Sequence, residues 1–152
     1  MTNGVPSTTP EVYAREQVLL HELQQTEVVV QAIRLGEILI ATSPCETYAV
    51  TGLKLKAASP MPKTMVIELA NGGDGYIPPP EQHLFGGYNT WPARSAGLEV
   101  TAEPRILETA LELMETVSGK ARREWVLPQG PLTRSILGAR PYAYWQLNDV
   151  TG

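Results

Sequence analysis

Three residues in short contexts rich in glycine or proline have side chains that could do chemistry. Glu46 follows an apolar run, at the predicted start of a helix whose dipole keeps a first-turn carboxylate ionised. Tyr76 lies in a glycine-rich stretch after another apolar run, where its phenol could coordinate a hard cation or donate a hydrogen bond. Tyr88 has a similar setting, directly after Gly86 and Gly87. Each of the three could equally be structural, as a first-turn glutamate or as a packing aromatic residue.

The histidines and the cysteine add no complete site to these three. The two histidines, His21 and His83, lack the close helical spacing of an HExxH zinc motif. A site made of His21, His83 and Glu46 can be drawn on paper, but the pattern favours two solvated surface histidines. The single cysteine, Cys45, excludes an intrachain disulfide, and its apolar neighbours indicate a buried thiol rather than a reactive one. No G-x-S-x-G motif supports a serine nucleophile.

Length and composition restrict the class of protein. A chain of 152 residues is long enough for one domain with a real core but not comfortably for two. The net charge of -4 gives no electrostatic reason to expect a nucleic acid or an anionic membrane as partner. The chain has no run of about 18 apolar residues, so no transmembrane segment is expected. The first ten residues lack the features of a signal peptide, which leaves the compartment open.

The first half of the chain predicts the elements that must position these side chains. Gly36 separates two β-rich runs and predicts a hairpin, and prolines punctuate the segments that follow. The third apolar run looks continuous enough to be a central strand. The predicted elements are a helix over 10–24, strands over 26–34 and 37–42, a helix over 43–58 and a strand over 63–70. The fold class is therefore α/β (α+β mixed), with a mixed sheet and flanking helices.

The second half predicts a long loop, one strong helix and a linker. The loop over 71–91 is longer than most structureless connections, and its aromatic residues argue for a functional loop rather than disorder. A brief strand over 98–101 precedes a helix over 101–118, which Gly119 ends. The expected buried stripe of this helix is Ile106, Ala110, Leu113, Met114 and Val117. From Lys120 the periodicity is lost: 120–138 has the composition of a linker, and the strand-like residues 141–147 predict a chain that is cut soon after a second domain starts.

Several short motifs resemble, in their order and spacing, the neutral/alkaline non-lysosomal ceramidase family. The similarity covers the C-terminal part of the catalytic domain of that family and is strongest to a bacterial, mostly uncharacterised branch. Taken singly the motifs have low specificity; together they are fairly specific. They are residues 31–37 (QAIRLGE), 44–46 (PCE), 68–72 (ELANG), 75–81 (GYIPPPE), 86–88 (GGY), 91–94 (WPAR) and 98–100 (LEV).

The resemblance implies a zinc-dependent amide hydrolase that acts on N-acylsphingosine, a reaction of sphingolipid metabolism. One zinc ion would be held by two histidines, a glutamate and a tyrosine, and would activate a water and polarise the amide carbonyl. By motif, the resemblance implies Glu46 and Tyr76 as the zinc ligands and Tyr88 as a second active-site tyrosine. The histidine ligands and an active-site serine would come from parts that this chain lacks, so residues 1–119 are expected to be an inactive fragment of that domain. The shortened spacing between Glu46 and Tyr76 leaves open an amide other than ceramide.

The end of the chain resembles a different family. Residues 143–149 (AYWQLND) are similar to the opening strand of a laminin-G/concanavalin-A-like domain, which would start at about residue 139 and implies contact with a carbohydrate or another surface. A frayed tail with exposed aromatic residues is the alternative. This tail supports a rival function, in which a degenerate ceramidase-like scaffold has no activity and the C-terminal module of a non-catalytic interaction protein does the binding.

Overall fold

The structure, a computed structural model, describes residues 4–124 and 130–144, which contain short strands and helices. The strands are β1 (Gln31–Leu35), β2 (Ile38–Thr42), β3 (Glu46–Thr47), β4 (Lys63–Ile67) and β5 (Tyr76–Ile77). The helices are α1 (Thr9–Leu23), α2 (Ala49–Ala58), α3 (Pro80–His83), α4 (Ala102–Ser118) and α5 (Pro131–Gly138), with a 3₁₀ turn at Tyr88–Thr90. The predicted α/β mixed class is confirmed. None of the described helices has the length and apolar character needed to cross a membrane.

Three strands form the main sheet in the order β1-β2-β4. β1 and β2 are the predicted antiparallel hairpin, with Ile33 opposite Ile40 and with Gly36 at a φ of 59° in the turn. β2 and β4 are parallel, and α2 is the connection between them. The prediction that the third apolar run is central is wrong. The hairpin occupies one edge of β2 and the crossover brings β4 to the other, so β2 is the central strand.

The main core lies between one face of this sheet and the helices α2 and α4. Its buried members are Leu39, Ala41, Leu55, Met61, Ala110, Leu111 and Met114. On α4 the predicted stripe is partly wrong: Leu111 is buried and Leu107 packs on the core, whereas Val117 is 36% exposed. The helix is therefore rotated slightly from the expected face, because the sheet that it covers sets the buried side. Ala110 and Met114 lie on that side, as predicted.

No described element covers the opposite face of the sheet. Five large apolar side chains on this face are between 40% and 59% exposed: Ile33, Leu35, Ile38, Met65 and Ile67. The strand register brings them into adjacent rows, such as Ile33, Ile40 and Met65. The sheet thus has a helix-covered face and an open apolar face.

Two predicted elements begin later than expected. The hairpin ladder stops where Gln31 pairs with Thr42, because Pro44 follows and cannot donate a backbone hydrogen bond, so residues 26–30 form no strand. The helix expected from residue 43 begins only at Ala49, since Glu46 and Thr47 form the strand β3 instead. The first-turn position proposed for Glu46 is therefore wrong. The brief strand expected over 98–101 is also absent from the described chain, where these residues form a bend and turn before α4.

The segment after α4 is more ordered than a linker composition predicts. The guanidinium of Arg122 donates to Glu115 at 2.7 and 3.0 Å and to Glu108 at 2.8 Å, which holds residue 122 against α4. The backbone N–H of Arg123 donates to the carbonyl of Ala58 at 2.9 Å, at the end of α2. The helix α5 was missed, although its proline at the first position is a recognised helix start. Of the strand predicted over 141–147, residues 141–144 form no strand, and residues 145–147 lie outside the described residues with the rest of 145–152.

Shortening Met114, which is fully buried at the centre of the main core, should destabilise the fold strongly. We expect Met114→Ala to lower the free energy of unfolding by about 2–5 kcal/mol, because the cavity it leaves cannot close completely. Val18→Ala, at a side chain that is 57% exposed, is the matched control and should change it by less than about 0.5 kcal/mol. Urea denaturation followed by circular dichroism measures both. Equal losses for the two variants would contradict this core.

Candidate functional site

Two very short parallel strands bring the first two candidate residues together. In the β3–β5 pair, Glu46 is the register partner of Tyr76, and Thr47 is the partner of Ile77. The backbone N–H of Glu46 donates to the carbonyl of Gly75 at 2.9 Å. Register partners on adjacent strands project to the same face of a sheet. Residues that are thirty positions apart in the sequence thus lie side by side.

Tyr88 joins this pair from the 3₁₀ turn. Its ring is perpendicular to that of Tyr76, with an interplanar angle of 74° and 5.5 Å between the ring centroids, a favourable edge-to-face contact. Glu46 and Tyr76 are half-buried, whereas Tyr88 is 59% exposed. The structure therefore brings all three predicted site residues into one cluster that is open to solvent. We call Glu46, Tyr76 and Tyr88 the acid–tyrosine cluster.

The Glu46 carboxylate favours the protonated phenol of Tyr76. The pKa of Tyr76 is raised from its ordinary value of 10.0, chiefly by its hydrogen bond to the Glu46 carboxylate and by the negative charge of that carboxylate. Partial burial and the neighbouring Tyr88 contribute to the same direction. A phenol that keeps its proton can donate it to a carboxylate or to a substrate oxygen. The cluster can therefore act as a hydrogen-bonding group at neutral pH.

A close backbone contact fixes the strand that carries Tyr76. The N–H of Tyr76 donates to the carbonyl of Ser95 at 2.8 Å. Gly75 has a φ of 83°, and a Cβ added there would lie 2.3 Å from the Ser95 carbonyl oxygen. Only glycine satisfies both the left-handed backbone and this close approach. The glycine-rich composition noted in the sequence therefore has a specific structural reason at this position.

An ion pair, missed by the sequence analysis, ties α1 to the same support. The guanidinium nitrogens Nε and Nη2 of Arg94 each donate to the Glu16 carboxylate at 2.8 Å. The backbone N–H of Arg94 donates to the same carboxylate at 3.2 Å. These hydrogen bonds lower the pKa of Glu16 to about 2, although Glu16 is only 7% exposed. Arg94 is one residue before Ser95, so the pair holds α1 against the segment on which β5 rests. Arg94 lies in residues 91–94, one of the motifs that resemble ceramidases. No local pattern distinguishes Glu16 from the other glutamates of α1.

The described residues do not amount to a complete zinc site. A catalytic zinc needs at least three protein ligands, and Glu46 with Tyr76 supplies two. No group of three or more histidine, cysteine, aspartate or glutamate side chains that could hold a metal occurs within residues 4–124 and 130–144. The site drawn from His21, His83 and Glu46 is thus not formed. His21 is exposed and His83 is half-buried.

Cys45 is a buried structural thiol, as predicted. It is fully buried and packs with Ile77 and Ala102 in a second, smaller core cluster. Burial raises the pKa of the thiol to about 11, which removes the thiolate needed for nucleophilic attack. The cysteine next to Glu46 therefore stabilises the base of the cluster instead of reacting.

A cleft in the described chain is separate from the acid–tyrosine cluster. It has a volume of about 680 Å³ and lies between the end of α1, residues 24–30 and the start of α4. Its apolar wall includes Leu20, Val28, Leu98 and Ile106, and Asp74 reaches it from the glycine-rich loop. None of Glu46, Tyr76 and Tyr88 lines it.

No known protein family, no curated protein and no solved structure matches this chain. The resemblance to ceramidases therefore depends on the sequence motifs, and the geometry of the cluster is independent of it.

Replacing Gly75 should disturb the cluster more than replacing a neighbouring glycine. We expect Gly75→Ala to destabilise the fold by about 1–3 kcal/mol, since an alanine there combines backbone strain with a clash against Ser95. Gly73→Ala is the matched control: an added Cβ at Gly73 has no neighbour within 4 Å, so its cost should stay within about 0.5 kcal/mol. Thermal unfolding of both variants measures the difference. A Gly75→Ala protein as stable as Gly73→Ala would show that Ser95 does not approach Gly75.

The raised pKa of Tyr76 can be measured directly. We expect Glu46→Gln to lower the Tyr76 pKa towards 10.0, because the substitution removes the carboxylate that favours the protonated phenol. Since the folded pKa is above the unfolded one, the stabilisation from this contact is complete below pH 10.0 and is lost as the pH rises through the folded pKa. An NMR titration of labelled tyrosine, with a chelator present, reports the shift. Glu22→Gln on α1 is the control and should leave the Tyr76 pKa unchanged.

Proposed function

We propose that this chain contributes the glutamate–tyrosine side of the active site of a ceramidase-type amide hydrolase. The observation that carries the proposal is the meeting of Glu46, Tyr76 and Tyr88 in one solvent-accessible cluster. The resemblance implies one active site for these three residues, and the strand pairing and the edge-to-face contact bring them together. The substrate class is a small-molecule or lipid amide.

The proposed roles follow from what each side chain does in the cluster. Glu46 is an anionic acceptor, Tyr76 donates to it, and Tyr88 has an exposed phenol that can donate a hydrogen bond to a substrate carbonyl. A zinc ion, where the full ligand set is present, supplies Lewis-acid activation of the amide and of a water. Because the described residues supply only two of its ligands, the remaining ligands have to come from elsewhere, and no catalytic step is assigned to this chain alone.

The chain by itself should bind zinc weakly and should not hydrolyse amides. We expect no turnover of N-acylsphingosine or of a short acyl amide when zinc is added, because two oxygen ligands cannot hold a catalytic zinc. Mass-spectrometric detection of the released amine measures the reaction. Appreciable turnover by this chain alone would contradict the incomplete site.

In an assembly that supplies two histidine ligands, the cluster should be essential. We expect Glu46→Gln and Tyr76→Phe each to lower kcat/KM by more than about 100-fold, because losing a metal ligand costs more activity than losing an outer-shell partner of that ligand. Tyr88→Phe should lower kcat with a smaller change in bound zinc. Glu22→Gln is the control and should keep full activity. Unchanged zinc content and activity in Glu46→Gln would overturn the proposal.

A further inference from the structure

Two adjacent apolar side chains project into solvent just before Tyr88. Leu84 is 87% exposed and Phe85 is 81% exposed. Among the described large hydrophobic residues, only Tyr142 has a larger exposed fraction. Scattered single apolar residues on a surface are normal, but two neighbouring ones with this exposure have almost no contact with their own fold. We call residues 82–93 the docking loop and Leu84 with Phe85 its tip.

The tip is held in place by a structured loop. Tight turns close it on both sides: the N–H of Phe85 donates to Gln82 at 3.1 Å, and the N–H of Thr90 donates to Gly87 at 3.0 Å. Aromatic contacts anchor the base, where Tyr88 packs on Tyr76 and the ring of Trp91 lies 5.1 Å from that of Tyr13. The exposure of the tip is therefore built into the loop conformation, and the tip needs little ordering when it binds.

The docking loop contains one histidine, His83, but no carboxylate, lysine or arginine side chain. Between Glu81 and Arg94 the sequence has no aspartate, glutamate, lysine or arginine. The loop can therefore enter a medium of low dielectric constant without desolvating a charged side chain. Behind the tip, Tyr88 and Trp91 are 59% and 44% exposed, and both have an apolar ring with a polar group. Such side chains favour the headgroup level of a lipid layer, while leucine and phenylalanine favour the acyl region.

We propose that the docking loop inserts its tip into the surface of an uncharged or zwitterionic lipid layer. A protein partner is less suited to this tip, because the tip is only two side chains and a stable protein interface uses about 20–30 residues on each side. The net charge of -4 gives no attraction to anionic lipid, so apolar burial must drive the binding. The proposal is independent of amide hydrolysis, because it concerns binding and not the acid–tyrosine cluster.

Vesicle binding by the whole chain tests the proposal. We expect the wild-type chain to partition onto phosphatidylcholine vesicles and the double variant L84S/F85S to lose about tenfold or more of this partitioning. The control V18S/L53S replaces two residues on α1 and α2 that are 57% and 58% exposed, and it should bind like the wild type. Raising the salt concentration or adding phosphatidylserine should change the wild-type binding by less than about twofold. Circular dichroism verifies that each variant is folded.

A fluorescent label at the tip gives a second, independent measurement. Cys45 is fully buried, so L84C offers the accessible thiol for an environment-sensitive fluorophore. With phosphatidylcholine vesicles we expect a blue-shifted, brighter emission from this label and no change from a label at V18C. Absence of vesicle binding, binding that requires anionic lipid, or equal loss in V18S/L53S would overturn the proposal. A drop in oligomeric mass of L84S/F85S, without vesicle binding by the wild type, would instead identify a second copy as the partner and also overturn it.

Discussion

The parallel pairing of Glu46 with Tyr76 is the constraint on which the rest of the site depends. It requires the chain to leave β2 at Pro44, so that residues 45–47 run beside the glycine-rich loop instead of entering a helix. The carbonyl of Pro44 accepts from Asp74 at 3.0 Å, and that of Gly75 accepts from Glu46 at 2.9 Å. These backbone bonds are few, so the pairing is stable only because the segment behind it, at Ser95, is itself fixed.

Support for that segment comes from an element distant in sequence. The bidentate pair of Glu16 and Arg94 connects α1 to the backbone next to Ser95, and a Cβ added at Gly97 would lie 2.7 Å from a methyl group of Leu20. Charged pairs with this geometry are stronger and more directional than ordinary hydrogen bonds. The position of Tyr76 therefore depends on a helix at the start of the chain, and a change in α1 would affect the cluster without touching it.

Local patterns predicted the elements whose causes are local. Apolar periodicity and Gly119 identified α4, and Gly36 identified the hairpin, because each depends on residues within one or two turns. Pairings between distant segments could not be predicted in this way: β3 and β5 are two residues long and have no periodicity of their own. The three members of the cluster were identified by motif resemblance, while Glu16 was missed because its partner is 78 positions away.

Tyr88 belongs both to the acid–tyrosine cluster and to the docking loop, so the two features share a residue. Its ring packs on Tyr76, and Phe85 lies three residues before it at the exposed tip. The intervening glycines, Gly86 and Gly87, both have positive φ values, of 67° and 104°. Residues with side chains adopt this conformation at a cost, so the glycines let the chain turn sharply from tip to cluster. Contact at the tip would therefore bring a lipid surface close to Tyr88 and so close to the acid–tyrosine cluster.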